Sequence, residues 1–354
     1  MGDLTETDYF LHRAQKILHS NCASPLSQVN AFFVKAFYQL LTGCPEECIK
    51  TASTGLGLAR RTGVHLLDSL FQGLSILCTL NAGDLKKAES LLDRMAGTVR
   101  LKKSCEASHY FFLRSRTALS GRDLRKAAVS AELALKNGQH AGFPQFQALQ
   151  NIAYAQILIE LAQYEKADEH LSDAAAVDHQ LQSRLLRYFL LFQKSALEFG
   201  RKEGKSGLTA LKQALAISRD QGLAHLLLDL PQKTSMLCTK AMQADIEVPH
   251  VQHLIKKHNI LPQKSSLLVM DWPWKIKIFT LGRFSLVKDN EPVRFTRKAQ
   301  QKPLLLLKAL IALGGRSVRE NRITDALWPD AEGDLAHKTF STTLHRLRRL
   351  VGEH

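Results

Sequence analysis

The stretch AAVSAELAL, residues 127–135, sets Ala127, Ala131, Ala134 and Leu135 at the spacing of one helical face. Small residues on such a face let a neighbouring helix approach closely. Four other stretches share the pattern. CIKTASTGL from Cys48, AESLLDRMA from Ala88, ADEHLSDAA from Ala167 and GLTALKQAL from Gly207 align with it at successive intervals of 40, 39, 40 and 40 residues. Each opens on a small residue, and the positions four, seven and eight further on are mostly small or apolar.

Working outward, a Gly-rich or polar turn precedes several of these stretches (TGCPEE, AGDLKK, SGRDLRK, AQYEK), and before each turn runs another apolar segment such as AFFVKAFYQLL or LQNIAYAQILIEL. Each period therefore reads as helix, short turn, helix. Stacked pairs of this kind build a right-handed α-solenoid of the tetratricopeptide type, here with about five pairs and helices longer than the usual repeat of about 34 residues allows. Residues 1–262 form this repeat domain, 263–274 a linker, and 275–354 a second domain. Phe32, Phe33, Tyr110 and Tyr154 are read as packing residues of the stack rather than as a ligand cage.

Bulk properties narrow the function. The chain has 354 residues and a net charge of +15. From Lys275 onward there are 16 Lys and Arg against 8 Asp and Glu, so more than half of the excess lies in the last 80 residues, with all three tryptophans nearby. A concentrated basic charge implies an anionic partner. No long apolar run and no basic leader is present, which predicts a cytoplasmic protein without a membrane partner. The six cysteines sit in apolar helical text and are expected as free, buried thiols. No paired-carboxylate, nucleophile–base or metal-spaced pattern stands out, so no enzyme activity and no cofactor is expected. GRKEGKSG at Gly200 contains GKS, but in a turn between helices and with no strand before it, so it is read as no phosphate loop.

After residue 274 the periodicity changes. KIKIFTL places Ile276 and Ile278 on one face, RFSLV does so with Phe284 and Leu286, and PVRF with Val293 and Phe295; Asp289 and Asn290 supply a turn. Three antiparallel strands are predicted. A helix follows, starting in the turn that holds Pro303 and ending at Gly314 and Gly315. Ser317 and Glu320 have the spacing of a capping box for a short helix closed by Trp328 and Pro329. Asp334 would cap a last helix and Gly352 would end it. In that helix Ala336, Phe340, Leu344, Leu347 and Val351 form an apolar stripe, and Lys338, Thr342, His345 and Arg349 lie opposite, flanked by Ser341, Arg346 and Arg348.

IKIFTLGRFSL, ITDALWPDAEGD and AHKTFSTTLHRLRRLVG resemble the OmpR-type winged-helix domain of bacterial regulators of the SARP kind. LGLARRTG and LAISRDQG resemble the long-helix repeats of MalT-like regulators. What the resemblance implies is a mainly α protein: an α-solenoid followed by a small α+β winged-helix, helix-turn-helix domain that binds double-stranded promoter DNA. The major-groove face would be Lys338, Ser341, Thr342, His345, Arg346 and Arg349; phosphate contacts would come from Arg297, Lys298, Lys302, Arg319, Arg322 and Arg348. His337 is assigned to the same DNA-facing helix. The sequence stops at His354, before the two-stranded wing such domains continue into, and has no GxxxxGK[ST] for the ATPase module that often precedes such repeats. It is thus expected to be a truncated frame or a fragment. The expected function is a transcription regulator whose repeats sense a small effector or protein partner, with RNA polymerase as a further partner. The alternative is a non-enzymatic repeat adaptor whose terminal domain docks protein rather than DNA.

Overall fold

A left-handed residue recurs through the first half of the chain with the period of the repeat. Gly43, Gly83, Arg122, Ala162 and Lys202 have φ of 74, 78, 63, 56 and 67°. In each case the next residue donates its N–H to a carbonyl five positions back: Cys44 to Gln39, Asp84 to Thr79, Asp123 to Ala118, Gln163 to Leu158 and Glu203 to Glu198, at 2.8–3.2 Å. This is the Schellman ending of a helix. The residue that completes it also begins the next helix, and the Asp84 and Asp123 carboxylates accept from the N–H of Lys87 and Lys126 at 3.1 and 2.9 Å. One sharp turn thus ends a helix, reverses the chain and caps its successor.

The computed structural model describes residues 4–18, 23–99, 104–139, 142–224, 230–262, 272–288, 291–293 and 298–351. It divides into two compact units, Met1–Asp271 and Trp272–His354. In the first, α1 (Leu4–Leu18) precedes five pairs. They are α2 (Pro25–Leu41) with α3 (Pro45–Thr62), α4 (Asp68–Asn81) with α5 (Leu85–Ala96), α6 (Ser104–Ser120) with α7 (Leu124–Gly138), α8 (Pro144–Glu160) with α9 (Tyr164–Leu181), and α10 (Arg184–Gly200) with α11 (Gly204–Gln221). A sixth, shorter pair, α12 (Pro231–Gln243) and α13 (Val248–Lys257), extends the five read from the sequence. Its turn is of the same kind, with Asp245 at φ 55° and the Ile246 N–H on the Ala241 carbonyl.

The small-residue stripe is the packing seam. Cys48, Ala88, Ala127 and Ala167 are fully buried, as are the residues four and seven positions on, among them Ala52, Leu171, Leu211, Ala174 and Ala214. The position eight on is buried only at Leu215; Ala96 is exposed. At Gly207 even a methyl group would come within 3.1 Å of the Phe199 ring. Phe33 and Phe71 meet edge to face across α2 and α4, and the Tyr154 hydroxyl donates to Glu132 at 2.6 Å.

In α8 every residue from 150 to 159 is buried. Its polar side chains turn to neighbouring pairs: Arg116 donates to Gln156 at 2.5 Å, Gln150 to the Ser108 hydroxyl at 2.6 Å, and Ser108 to the Ala134 carbonyl at 2.8 Å. His109, wholly enclosed in α6, has its imidazole lowered from 6.5 to about 4 by burial alone. The stack also meets its own beginning. The Leu4 N–H donates to Gln221, the Ala224 N–H to the Leu41 carbonyl, and Lys257 to the Thr42 carbonyl, at 2.8, 3.2 and 2.6 Å, while His258 bonds the Ala224 carbonyl.

Of the cysteines, Cys48, Cys78 and Cys238 are buried and Cys44 is half-buried, but Cys105 is exposed, because it falls on the open side of the first turn of α6. Cys22 lies outside the described residues. A hydrogen bond with Cys48, reinforced by burial, pushes the Cys78 thiol far up. The GKS segment is the α10–α11 turn, with Gly204 opening α11.

Candidate nucleic-acid interface

The second unit is a three-stranded antiparallel sheet followed by three helices. β1 (Ile276–Phe279) pairs with β2 (Ser285–Lys288), and β2 with the two-residue β3 (Glu291–Pro292). Ile276 and Ile278 share a face, opposite Lys288 and Leu286. Val293 lies just beyond β3, its N–H on the Leu286 carbonyl at 2.8 Å; Asp289, Asn290 and Phe295 lie outside the described residues. Trp272 and Trp274, within the stretch read as linker, belong to this unit, and Trp272 is buried.

The helices are α14 (Lys298–Ala312), α15 (Glu320–Leu327) and α16 (Gly333–Val351). Leu306, Ile323 and Leu347, one from each, are buried together, with Leu310, Leu327, Phe340, Leu344 and Val351 packed around them. The predicted stripe of α16 is therefore its inner face. Thr343 joins it, buried and with its hydroxyl donating to the Thr339 carbonyl at 2.7 Å. The signal was present, since Thr343 is three residues after Phe340 and four before Leu347.

Three local expectations fail here. Helix α14 starts at Lys298, ahead of the Pro303 turn; proline forfeits one backbone bond, and so close to a helix start that loss is tolerated. The Ser317–Glu320 capping box does not form. Ser317 has φ 51°, the N-cap is Arg319 with no side-chain cap bond, and Glu320 is already the first helical residue. Glu320 instead pairs with His337 at 2.5 Å, joining the starts of α15 and α16. His337 is thereby drawn to Glu320, with its side chain still 65% exposed. Asp334 is not the cap, because α16 begins at Gly333, but its charge still sits in the first turn, where the helix dipole favours it. Gly352 lies outside the described residues.

Opposite the buried stripe, Lys338, Ser341, Thr342, His345, Arg346, Arg348 and Arg349 are all exposed. No ion pair engages Lys338, Arg346 or Arg349 among the described residues. Arg319 and Arg322 are exposed at the start of α15, and Lys302 on α14. Arg297 lies outside the described residues; Lys298 opens α14, with its side chain likewise undescribed. The surface also carries Leu335, 60% exposed. Sequence reading passes over it because a helical leucine ordinarily reads as core, yet it lies about 100° off the stripe from Ala336. Chemically the face offers cationic and hydroxyl donors on a rigid helix, with one apolar contact.

The described residues hold no group of three or more His, Cys, Asp or Glu placed to bind a metal, and no helix long and apolar enough to cross a membrane. No known protein family and no curated protein matches the chain. Among solved structures it is similar to BtubC (BKLC) from P. vanneervenii, at 19% identity and a TM-score of 0.39, over 61% of this chain and 89% of that one. A likeness at that TM-score carries no argument about function.

Proposed function

We propose that this chain is a cytoplasmic, DNA-binding transcription regulator: α16 enters the major groove, and the helical repeats receive an effector or a partner protein. The observation that carries this reading is the clean division of α16, whose apolar stripe is anchored by α14 and α15 while every assigned base-reading side chain stays exposed. A helix held by one face and offering Arg, Lys and Thr on the other suits groove recognition, where Arg and Lys donate to guanine and Thr meets thymine methyls or phosphates. Arg319, Arg322, Arg348 and Lys302 supply charge for the flanking phosphates, and RNA polymerase is a fitting partner for a protein so placed.

The test is binding of the full chain to duplex promoter fragments over a salt series. Affinity should fall steeply with salt, by about 0.9 logarithmic units per decade of salt for each phosphate neutralised. The combined variant Lys338→Ala, Arg346→Ala, Arg349→Ala should lose sequence preference. Equal binding by wild type and this variant would overturn the reading and leave the repeat adaptor in its place.

A further inference from the structure

The sheet of the second unit ends on a strand with an open side. β1 is the outer strand in the order β1-β2-β3, so one row of its backbone groups has no strand beside it among the described residues. Such an edge is a template for another extended chain. Along it the side chains alternate. Ile276 and Ile278 lie on one face; Lys277 and Phe279, with Lys275 just ahead, lie on the other. Ile278 is 38% exposed, Phe279 52%, and Leu281 immediately beyond is 94% exposed. Arg283 and Lys288 add positive charge nearby, and none of Lys275, Lys277, Arg283 and Lys288 forms an ion pair among the described residues.

We propose that the β1 edge is a docking site for an extended segment of a partner protein in which acidic residues alternate with β-branched apolar ones. Added beside β1, such a segment satisfies its open backbone groups, lays its apolar side chains against Ile276 and Ile278, and sets its carboxylates against Lys275 and Lys277. A second copy of this chain is a poor occupant, because two β1 edges would set lysine against lysine. Duplex DNA meets the charge but offers neither a strand edge nor an apolar match for Ile278, Phe279 and Leu281.

The experiment titrates the full chain into a short labelled peptide alternating Glu and Val, beside a Lys–Val counterpart and a scrambled Glu–Val peptide of the same composition, and reads fluorescence anisotropy. The alternating acidic peptide should bind at least about tenfold more tightly than either control. The double variant Lys275→Glu, Lys277→Glu should lose that binding and accept the Lys–Val peptide instead, with unchanged tryptophan fluorescence showing that the unit is folded. Equal affinity for the acidic and basic peptides overturns the proposal, as does an acidic-peptide affinity that survives the charge reversal. Concentration-dependent dimerisation abolished by the reversal would give the edge to a second copy, and displacement of the peptide by duplex DNA would give it to DNA; both outcomes overturn the proposal too.

Discussion

Helices α8 and α16 are of similar length and both carry many polar side chains, yet α8 is enclosed on all sides from residue 150 to 159 and α16 on one. In α8, Gln150 and Gln156 turn inward and bond Ser108 and Arg116 of α6, fixing the register between repeats, while Asn151 bonds His170 of its own partner α9. In α16, Lys338, Ser341, Thr342, His345, Arg346 and Arg349 lie exposed, away from Leu306, Ile323 and Leu347. Composition alone does not make a binding helix. What matters is whether neighbouring helices use its polar groups.

The contrast can be broken most severely by acid. His109 is held neutral by burial, with its imidazole lowered from 6.5 to about 4. Above pH 6.5 both folded and unfolded chains carry it neutral, and its contribution is intact. As the pH falls toward 4 the unfolded chain takes up the proton first, so the first unit should lose about 3 kcal/mol of stability across that window. Chemical denaturation followed by far-ultraviolet circular dichroism checks this, and His109→Gln should flatten the pH dependence by that amount.

Next in size, Leu347→Ala removes the residue that α16 contributes to the three-helix core and should cost about 3 kcal/mol in the second unit alone. All three tryptophans lie at 272 or beyond, so their fluorescence reports this unit, and its transition should move while that of the repeats stays. Arg349→Ala, on the outward face of the same helix, should leave that transition in place and weaken promoter binding by about 1–3 kcal/mol. A matching loss at all DNA sequences would sharpen the comparison differently, by making Arg349 a phosphate contact. Smallest is Ala162→Gly: the left-handed φ of 56° strains alanine but not glycine, so thermal unfolding of the repeats should shift upward by about 1 kcal/mol.

Much of this was legible from residue order. The repeat interval located α3, α5, α7, α9 and α11, and the apolar stripe of α16 gave its buried face. The same period recurs in the backbone at Gly43, Gly83, Arg122, Ala162 and Lys202, but only the first two announce themselves as glycine. At the other three a non-glycine residue is held left-handed by the helix pair on either side, so tertiary packing overrides local preference. The capping box was misread for a similar reason. Ser317 and Glu320 have the right spacing, but spacing does not fix where the helix begins, and His337, 17 residues on, competes for the carboxylate.

The sequence by itself determined five of the helix pairs, their seam of small residues, the change to a basic unit near residue 272, and the side of α16 that is kept out of water. Periodicity suffices there, because a side chain's place on a helix follows from its number. Only the tertiary structure decided which polar groups are used up inside, that the repeats join Leu4 to Gln221 and Lys257 to Thr42, and that β1 is an outer strand with no strand on its other side among the described residues. Those depend on contacts between residues far apart in the chain, and no local pattern encodes such distances.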